Sequence, residues 1–269
     1  MQEEKVIKMS DRRYLSDVLG DRFGKITLSL ADDYEGEVIA TLIRRKSQSS
    51  STKAILYIHG FNDYFFQDQM AKRFNNEDYN FYALDLRKYG RSLLNHQKLN
   101  NVRSLLEYDE EINKALQIIK SESNNEVILM GHSTGGLIVT RYFPNKLISN
   151  GFSKLYGYSL HNGKYGEWNY SLAWKPHEIP KVNLSFISAI HNAQKKIQNN
   201  LVVDVPLLVM YSSQSIYEKK WSGKFKEGDA VLNVKHIQYY ANKIKGNVTS
   251  CEIENGMHDL ILSKKPVRE

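Results

Sequence analysis

The chain has 269 residues, 41% of them hydrophobic and 25% charged, with a formal net charge of +7 and one cysteine. That length can bury one large core, and the ordinary apolar and charged shares exclude a disordered or fibrous chain. A lone Cys251 excludes an internal disulfide, no run approaches the ~20 apolar residues of a membrane span, and the basic excess comes without a clustered basic helix or a nucleic-acid motif.

In chain order, the amino terminus, MQEEKVIKMSDRRYLSD, is charged and has no apolar signal-peptide stretch, so a soluble cytoplasmic protein is expected. Ile26, Leu28 and Leu30 alternate with small or polar residues, as do Val38, Ala40 and Leu42. An antiparallel pair joined by a turn near residues 33–36 follows. Lys53 to Ile58 reads as a buried strand running into His59-Gly60-Phe61-Asn62-Asp63, and a further strand starts at Tyr79. Val102, Leu105, Leu106, Ile112, Leu116 and Ile119 mark one apolar helix face. Strands separated by helical stretches imply a parallel sheet, hence an α/β fold.

The most informative stretch follows. The apolar strand Val127 to Met130 stops at Gly131-His132-Ser133-Thr134-Gly135, and helical apolar spacing resumes at once. Gly-x-Ser-x-Gly arises ~0.1 times by chance in a chain this long, and the strand-before, helix-after context makes it a nucleophile elbow. Such a turn projects the serine hydroxyl alone above the sheet, its glycines admit close backbone approach, and the helix amino terminus favours nearby negative charge.

The helix after Ser133 meets Phe143-Pro144 within about two turns, and proline is poorly tolerated inside a helix. No buried-strand run appears from there to Leu201; residues 143–200 read as a polar, aromatic cap inserted in a core of residues 1–142 and 201–269. Tyr156, Tyr158, Trp168, Tyr170 and Trp174 suit either a substrate pocket or the cap's own small core. A strand at Val205 to Tyr211 comes next, followed by Asp229 ahead of a helix marked by Val234, Ile237, Ala241 and Ile244. A last strand ends near Ile253, and His258 lies in the Gly-containing loop beyond it. The order nucleophile, acid, base is the one α/β serine hydrolases use. Ser133 and His258 are thus candidate nucleophile and base. Asp229 is the leading acid, with Glu218 and Glu227 as rivals and a plain helix-capping role as the alternative; Asp204 lies at the wrong end of its strand.

These segments resemble the α/β-hydrolase superfamily, in its branch of lysophospholipase or monoacylglycerol-lipase-like (serine aminopeptidase S33-like) serine hydrolases. Asp85-x-Arg87-x-x-Gly90-x-Ser92, Gly228-Asp229-Ala230-Val231-Leu232 and His258-Asp259-Leu260 resemble that branch's segments, and the likeness spans nearly the whole chain. It implies an α/β-hydrolase fold with a mostly parallel sheet, an N-terminal antiparallel hairpin and a small cap. It implies a Ser133-Asp229-His258 triad and an oxyanion hole from the Phe61 and Thr134 N–H groups. His59, Gly60, Trp168 and Tyr158 would line the substrate site. The activity implied is hydrolysis of small or lipid-derived carboxylic monoesters through an acyl-enzyme, with no cofactor and no metal. A basic surface also suits peripheral contact with anionic lipid, no nucleic-acid partner is expected, and nothing signals oligomeric state.

Against that pattern the chain lacks a helix–strand segment at Tyr142-Phe143. The absent strand would lie beside the nucleophile strand, so the expectation is a sheet one strand short and an impaired site, unless the strand at Val205 moves in by one place. A pseudoenzyme and an unstable truncated product are the rival readings.

Overall fold

The computed structural model describes residues 14–20, 22–142, 154–177, 184–198 and 201–269. Its strands and helices, in chain order, are β1 (Leu15–Ser16), β2 (Gly24–Ser29), β3 (Ile39–Arg45), β4 (Lys53–Ile58), α1 (Asp68–Asn76), β5 (Asn80–Asp85), α2 (Asp109–Ser121), β6 (Glu126–Gly131), α3 (Thr134–Tyr142), α4 (Lys154–Leu160), α5 (Leu184–Gln198), β7 (Val202–Ser212), α6 (Val234–Ala241), β8 (Lys245–Ile253) and α7 (Lys265–Arg268).

Six strands form one sheet in the order β1-β2-β3-β5-β4-β6. β2 and β3 are the expected antiparallel pair, and β5, β4 and β6 run parallel. Alternation along the strands sends side chains to two cores. Leu42, Leu56, Ile58, Tyr82 and Leu84 pack with Ile112, Ala115 and Ile119 of α2 and with Leu137 and Ile138 of α3. On the opposite face Ile43, Ile55, Tyr57, Phe81 and Ala83 pack with Met70 and Ala71 of α1. Helices therefore cover both faces, which is what lets the central strands be apolar throughout. A Ser104–Glu107 capping box starts the turn leading into α2, whose first turn carries Asp109, Glu110 and Glu111 where the helix dipole favours anions.

Two sequence expectations change. Leu106 is exposed rather than part of the α2 face, because it lies in the 3-10 turn before the helix, where the 3.6-residue period does not yet hold. Within residues 143–200, read as the cap, α5 packs Phe186, Ala189 and Ala193 into the main core.

Among the described residues, the strands fall into two sheets. β7 and β8 pair only with each other among the described residues, as a separate two-stranded parallel sheet. β7 does not move in beside β6, so neither β6 nor β7 has a strand on its other edge among the described residues. Phe143 and Pro144, where the break was read, lie outside the described residues. Apolar side chains on these strands face solvent: Ile128 of β6 and Val202, Val205, Leu208 and Met210 of β7 are all exposed. Pro206, which has no N–H to give a ladder, coincides with the register shift between Val203 and Leu207.

This exposure has a measurable consequence. Leu56→Ala, at a fully buried position, is expected to cost about 2–5 kcal/mol. Leu208→Lys, at a position 57% exposed, should change stability by no more than about 0.5 kcal/mol. Urea unfolding of both variants checks this; a large loss at Leu208 would mean that β7 is covered in solution.

Candidate active site

The site is built on the end of β6. His132 N–H donates to the Ile58 carbonyl at 3.0 Å, which staples the turn to the end of β4. Ser133 sits at φ 52°, in the left-handed region that costs a side-chain-bearing residue energy. Only glycine fits around it. A Cβ on Gly135 would lie 2.2 Å from the Ile58 carbonyl oxygen, and one on Gly131 would lie 2.4 Å from the Gly135 oxygen. Thr134 opens α3, so its N–H has no acceptor within the helix.

Ser133 Oγ lies 3.0 Å from His258 Nε2, and His258 Nδ1 lies 2.9 Å from Asp229 Oδ2. Asp229 Oδ1 accepts the N–H groups of Val231 and Leu232, both at 2.7 Å. Burial alone would raise the Asp229 carboxyl; the His258 ring beside it and the two backbone N–H groups outweigh that and hold it below the usual carboxylate range. The ionised carboxylate keeps the proton on Nδ1, which leaves Nε2 free to accept from the serine hydroxyl. Asp229 is not a helix cap, since Asn233 caps α6. Neither rival acid reaches the ring: Glu218 engages Ser222 and Lys224, and Glu227 engages Lys264. The three groups stay in hydrogen-bond contact although β7–β8 pairs with no strand of the larger sheet among the described residues.

The loop after β4 presses against Ser133. A Cβ on Gly60 would lie 3.1 Å from Ser133 Cβ. Asp85 fixes this loop by accepting the Phe65 N–H at 2.8 Å, while Arg91 bridges Asp85, Asp17 and the Phe65 carbonyl. The Phe61 ring is buried, 4.8 Å from that of Phe186.

Three residues expected at the substrate do other work. His59 is fully buried; its Nδ1 donates to the Gly60 carbonyl and its Nε2 accepts the Leu86 N–H. Both ring nitrogens are occupied and burial lowers its pKa, so it is a neutral strut between two loops. Trp168 packs with Phe66 and Tyr170, and its Nε1 donates to the Leu262 carbonyl. Tyr158 meets His177 edge-on, with Lys154 and Lys164 over its ring. Most of the cap aromatics thus form a packed cluster with Tyr64, Phe66, Val231 and Met257 rather than an open pocket. One of them touches the relay from behind: the buried Tyr156 ring stands edge-on to His258 at 5.7 Å, and its oxygen accepts the Asp259 N–H.

Sequence reading missed Tyr156 in this role, and it missed the charged group of Asp63, His132, Asp259 and Lys175 beside Ser133 and His258. Asp63 Oδ1 receives Lys175 Nζ at 2.6 Å. The adjacency of His132 to Ser133 and of Asp259 to His258 was the available signal; Lys175 had none. The polar atoms of Asp63, His132 and Asp259 lie within 4.8 Å of one another. No helix among the described residues is long and apolar enough to cross a membrane.

Residues 49–149, which hold the elbow and the loop after β4, match the family described as serine aminopeptidase, S33. No curated protein matches the chain. The fold is similar to that of a soluble variant of monoglyceride lipase from Saccharomyces cerevisiae, at 12% identity over 90% of this chain and 91% of that one, with a TM-score of 0.58. It is similar to that of alpha/beta hydrolase domain-containing protein 10 from mouse, at 16% identity over 90% and 93%, TM-score 0.55. A highly thermostable carboxyl esterase from Bacillus coagulans is similar at 12% identity over 85% and 90%, TM-score 0.52.

The lowered Asp229 pKa fixes the sign of an acid effect. A depressed carboxylate contributes stability that is present above its unfolded pKa, about 3.9, and lost as pH falls through the folded value. Urea midpoints measured downward from pH 6 should therefore drop more steeply below about pH 4 in the wild type than in Asp229→Asn. Parallel curves would mean that Asp229 is not held ionised by His258.

Proposed function

We propose that this chain, which has the α/β-hydrolase fold, is a serine hydrolase of carboxylic esters. The observation that carries the reading is the continuous relay Ser133 Oγ–His258 Nε2, His258 Nδ1–Asp229 Oδ2, at 3.0 and 2.9 Å, on a nucleophile at positive φ. His258 takes the Ser133 proton as the oxygen attacks the carbonyl. The tetrahedral oxyanion is held by the Phe61 and Thr134 N–H groups. His258 then returns the proton to the leaving alkoxide, an acyl-serine remains, and water activated by the same imidazole releases the acid. Asp229 holds the ring in the tautomer this needs.

A small or lipid-derived monoester is the substrate class. The monoglyceride lipase and carboxyl esterase among the similar structures favour it, and the net charge of +7 suits approach to anionic lipid. Thioesters and amides present the same carbonyl to the same groups.

One observation favours a second reading, an impaired enzyme. Asp229 and His258 hang from β7 and β8, which share no strand pairing with the nucleophile sheet, and a displacement of about 1 Å in such a site costs a factor near 10².

A fluorophosphonate probe on the purified chain separates the two. Labelling of the wild type, lost in Ser133→Ala with no change in melting temperature, is the expected result. An unlabelled but cooperatively melting wild type would establish the impaired reading. Asp229→Asn should lower kcat for p-nitrophenyl esters by roughly 10³ to 10⁴; a variant within tenfold of wild type would remove Asp229 from the mechanism.

A further inference from the structure

A knot of charge that the relay does not use lies directly against it. His132 Nδ1 is 3.7 Å from Asp63 Oδ2 and 3.7 Å from Asp259 Oδ2. These are ion-pair distances, longer than hydrogen bonds. The Asp63 and Asp259 side chains are 1% and 3% exposed, and that of His132 is 16% exposed. Neither ring nitrogen of His132 and not the Oδ2 of Asp63 has a hydrogen-bond partner among the described residues. Beyond Asp63 stands Lys175, and Gln67 Nε2 approaches Asp259 Oδ2 at 3.4 Å.

The positions of these residues in the chain give the knot its meaning. His132 precedes the nucleophile, Asp259 follows the candidate base, and Asp63 lies two residues beyond Phe61 in the loop expected to hold the oxyanion. Lys175 brings in the cap. One imidazole therefore faces a carboxylate on each of the two loops that must be registered against Ser133. The two carboxylates face one ammonium, so a neutral ring leaves an excess negative charge in a buried place, and a protonated ring cancels it. Buried charge of that kind is stable only when paired.

We infer that His132 is a positioning residue: as an imidazolium between Asp63 and Asp259 it ties the nucleophile turn to the oxyanion loop and to the base loop, and loss of its proton loosens the site. This rests on the esterase reading above. Burial of the ring opposes its charge, but Asp259 and Asp63 outweigh burial and raise its pKa above the ordinary histidine value, with Lys175 acting against them. The other titratable groups facing the knot are His258, its ring 5.2 Å from that of His132, and His59, Tyr57 and Tyr156 around the two carboxylates. The sign follows: the clamp is complete below the raised pKa and is lost as pH rises through it.

Two readouts test this on the full chain. Imidazole resonances are followed by NMR against pH, with the His132 signal assigned by its absence in His132→Gln. It should titrate above about 6.5 in the wild type and at lower pH in Asp259→Asn, which keeps the shape of the side chain. A His132 that titrates at or below that value, or is unmoved by Asp259→Asn, overturns the inference. Ester hydrolysis is then measured across pH 5 to 10. The wild type should lose kcat as His132 deprotonates. Asp259→Asn should lose it at lower pH. His132→Gln should show no such limb and a kcat reduced about ten- to a hundredfold, with KM little changed. A limb that persists in His132→Gln, or does not move in Asp259→Asn, refutes the positioning role even if the first variant folds poorly. A wild type that never turns over while His132 titrates as expected refutes the esterase reading and the positioning role together, and leaves only the ion bridge.

Discussion

Everything at this site depends on how closely α3 and the end of β4 can approach. The helix begins one residue after Ser133, and its Gly135 lies so near the Ile58 carbonyl that a single methyl group would meet it at 2.2 Å. That contact, with the His132 N–H on the same carbonyl, forces the chain to reverse sharply and leaves Ser133 in a backbone region that tertiary structure must hold. Separate the two elements by one carbon atom and the serine has no reason to project toward His258.

The surroundings are arranged to resist that separation. Asp85, at the end of β5, grips the Phe65 N–H and Arg91, and Arg91 reaches Asp17 at the start of the chain. Arg87 makes a bidentate pair with the fully buried Glu111 of α2. Buried ion pairs of this type are weak contributors to net stability, yet breaking one by removing a partner is costly. Their effect here is to fix the positions of loops that have no regular secondary structure. The Asp-x-Arg-x-x-Gly-x-Ser segment thus supports the loop beside Ser133 from behind and does not touch the relay.

How much of this could be read from the sequence follows the range of the interactions. The elbow was legible because its signal is local: an apolar strand, five residues of turn and the start of a helix. Asp229 led Glu218 and Glu227 as the first aspartate after the strand at Val205 and through the resemblance of Gly228 to Leu232, while its place before a helix left capping open; the fold turns it toward His258. The break read after Tyr142 falls at residues outside those described, and the described strands form two separate sheets. What failed was the fate of individual polar and aromatic side chains. His59 lies in the right loop, but its partner Leu86 is 27 residues away. Trp168 and Tyr158 were compatible with pocket or packing; Trp168's partners Phe66 and Leu262 come from distant parts of the chain, while Tyr158 packs on its own neighbours His177, Lys154 and Lys164. The charges around His132 are spread from Asp63 to Asp259, so no window of sequence contains them.

The division of the sheet also bears on how the molecule comes apart. Strand ladders propagate cooperativity, because each strand is held by hydrogen bonds to its neighbours along its whole length. Between β6 and β7 that continuity stops among the described residues, and the two parts meet instead through side chains: the aromatic cluster of the cap and the ring of His258. Local openings in proteins follow such seams. Slow amide exchange is then expected of β3, β4 and β5, and faster exchange of the pair β7–β8. An opening along that seam would move Asp229 and His258 together relative to Ser133, which stays in its turn on the six-stranded sheet.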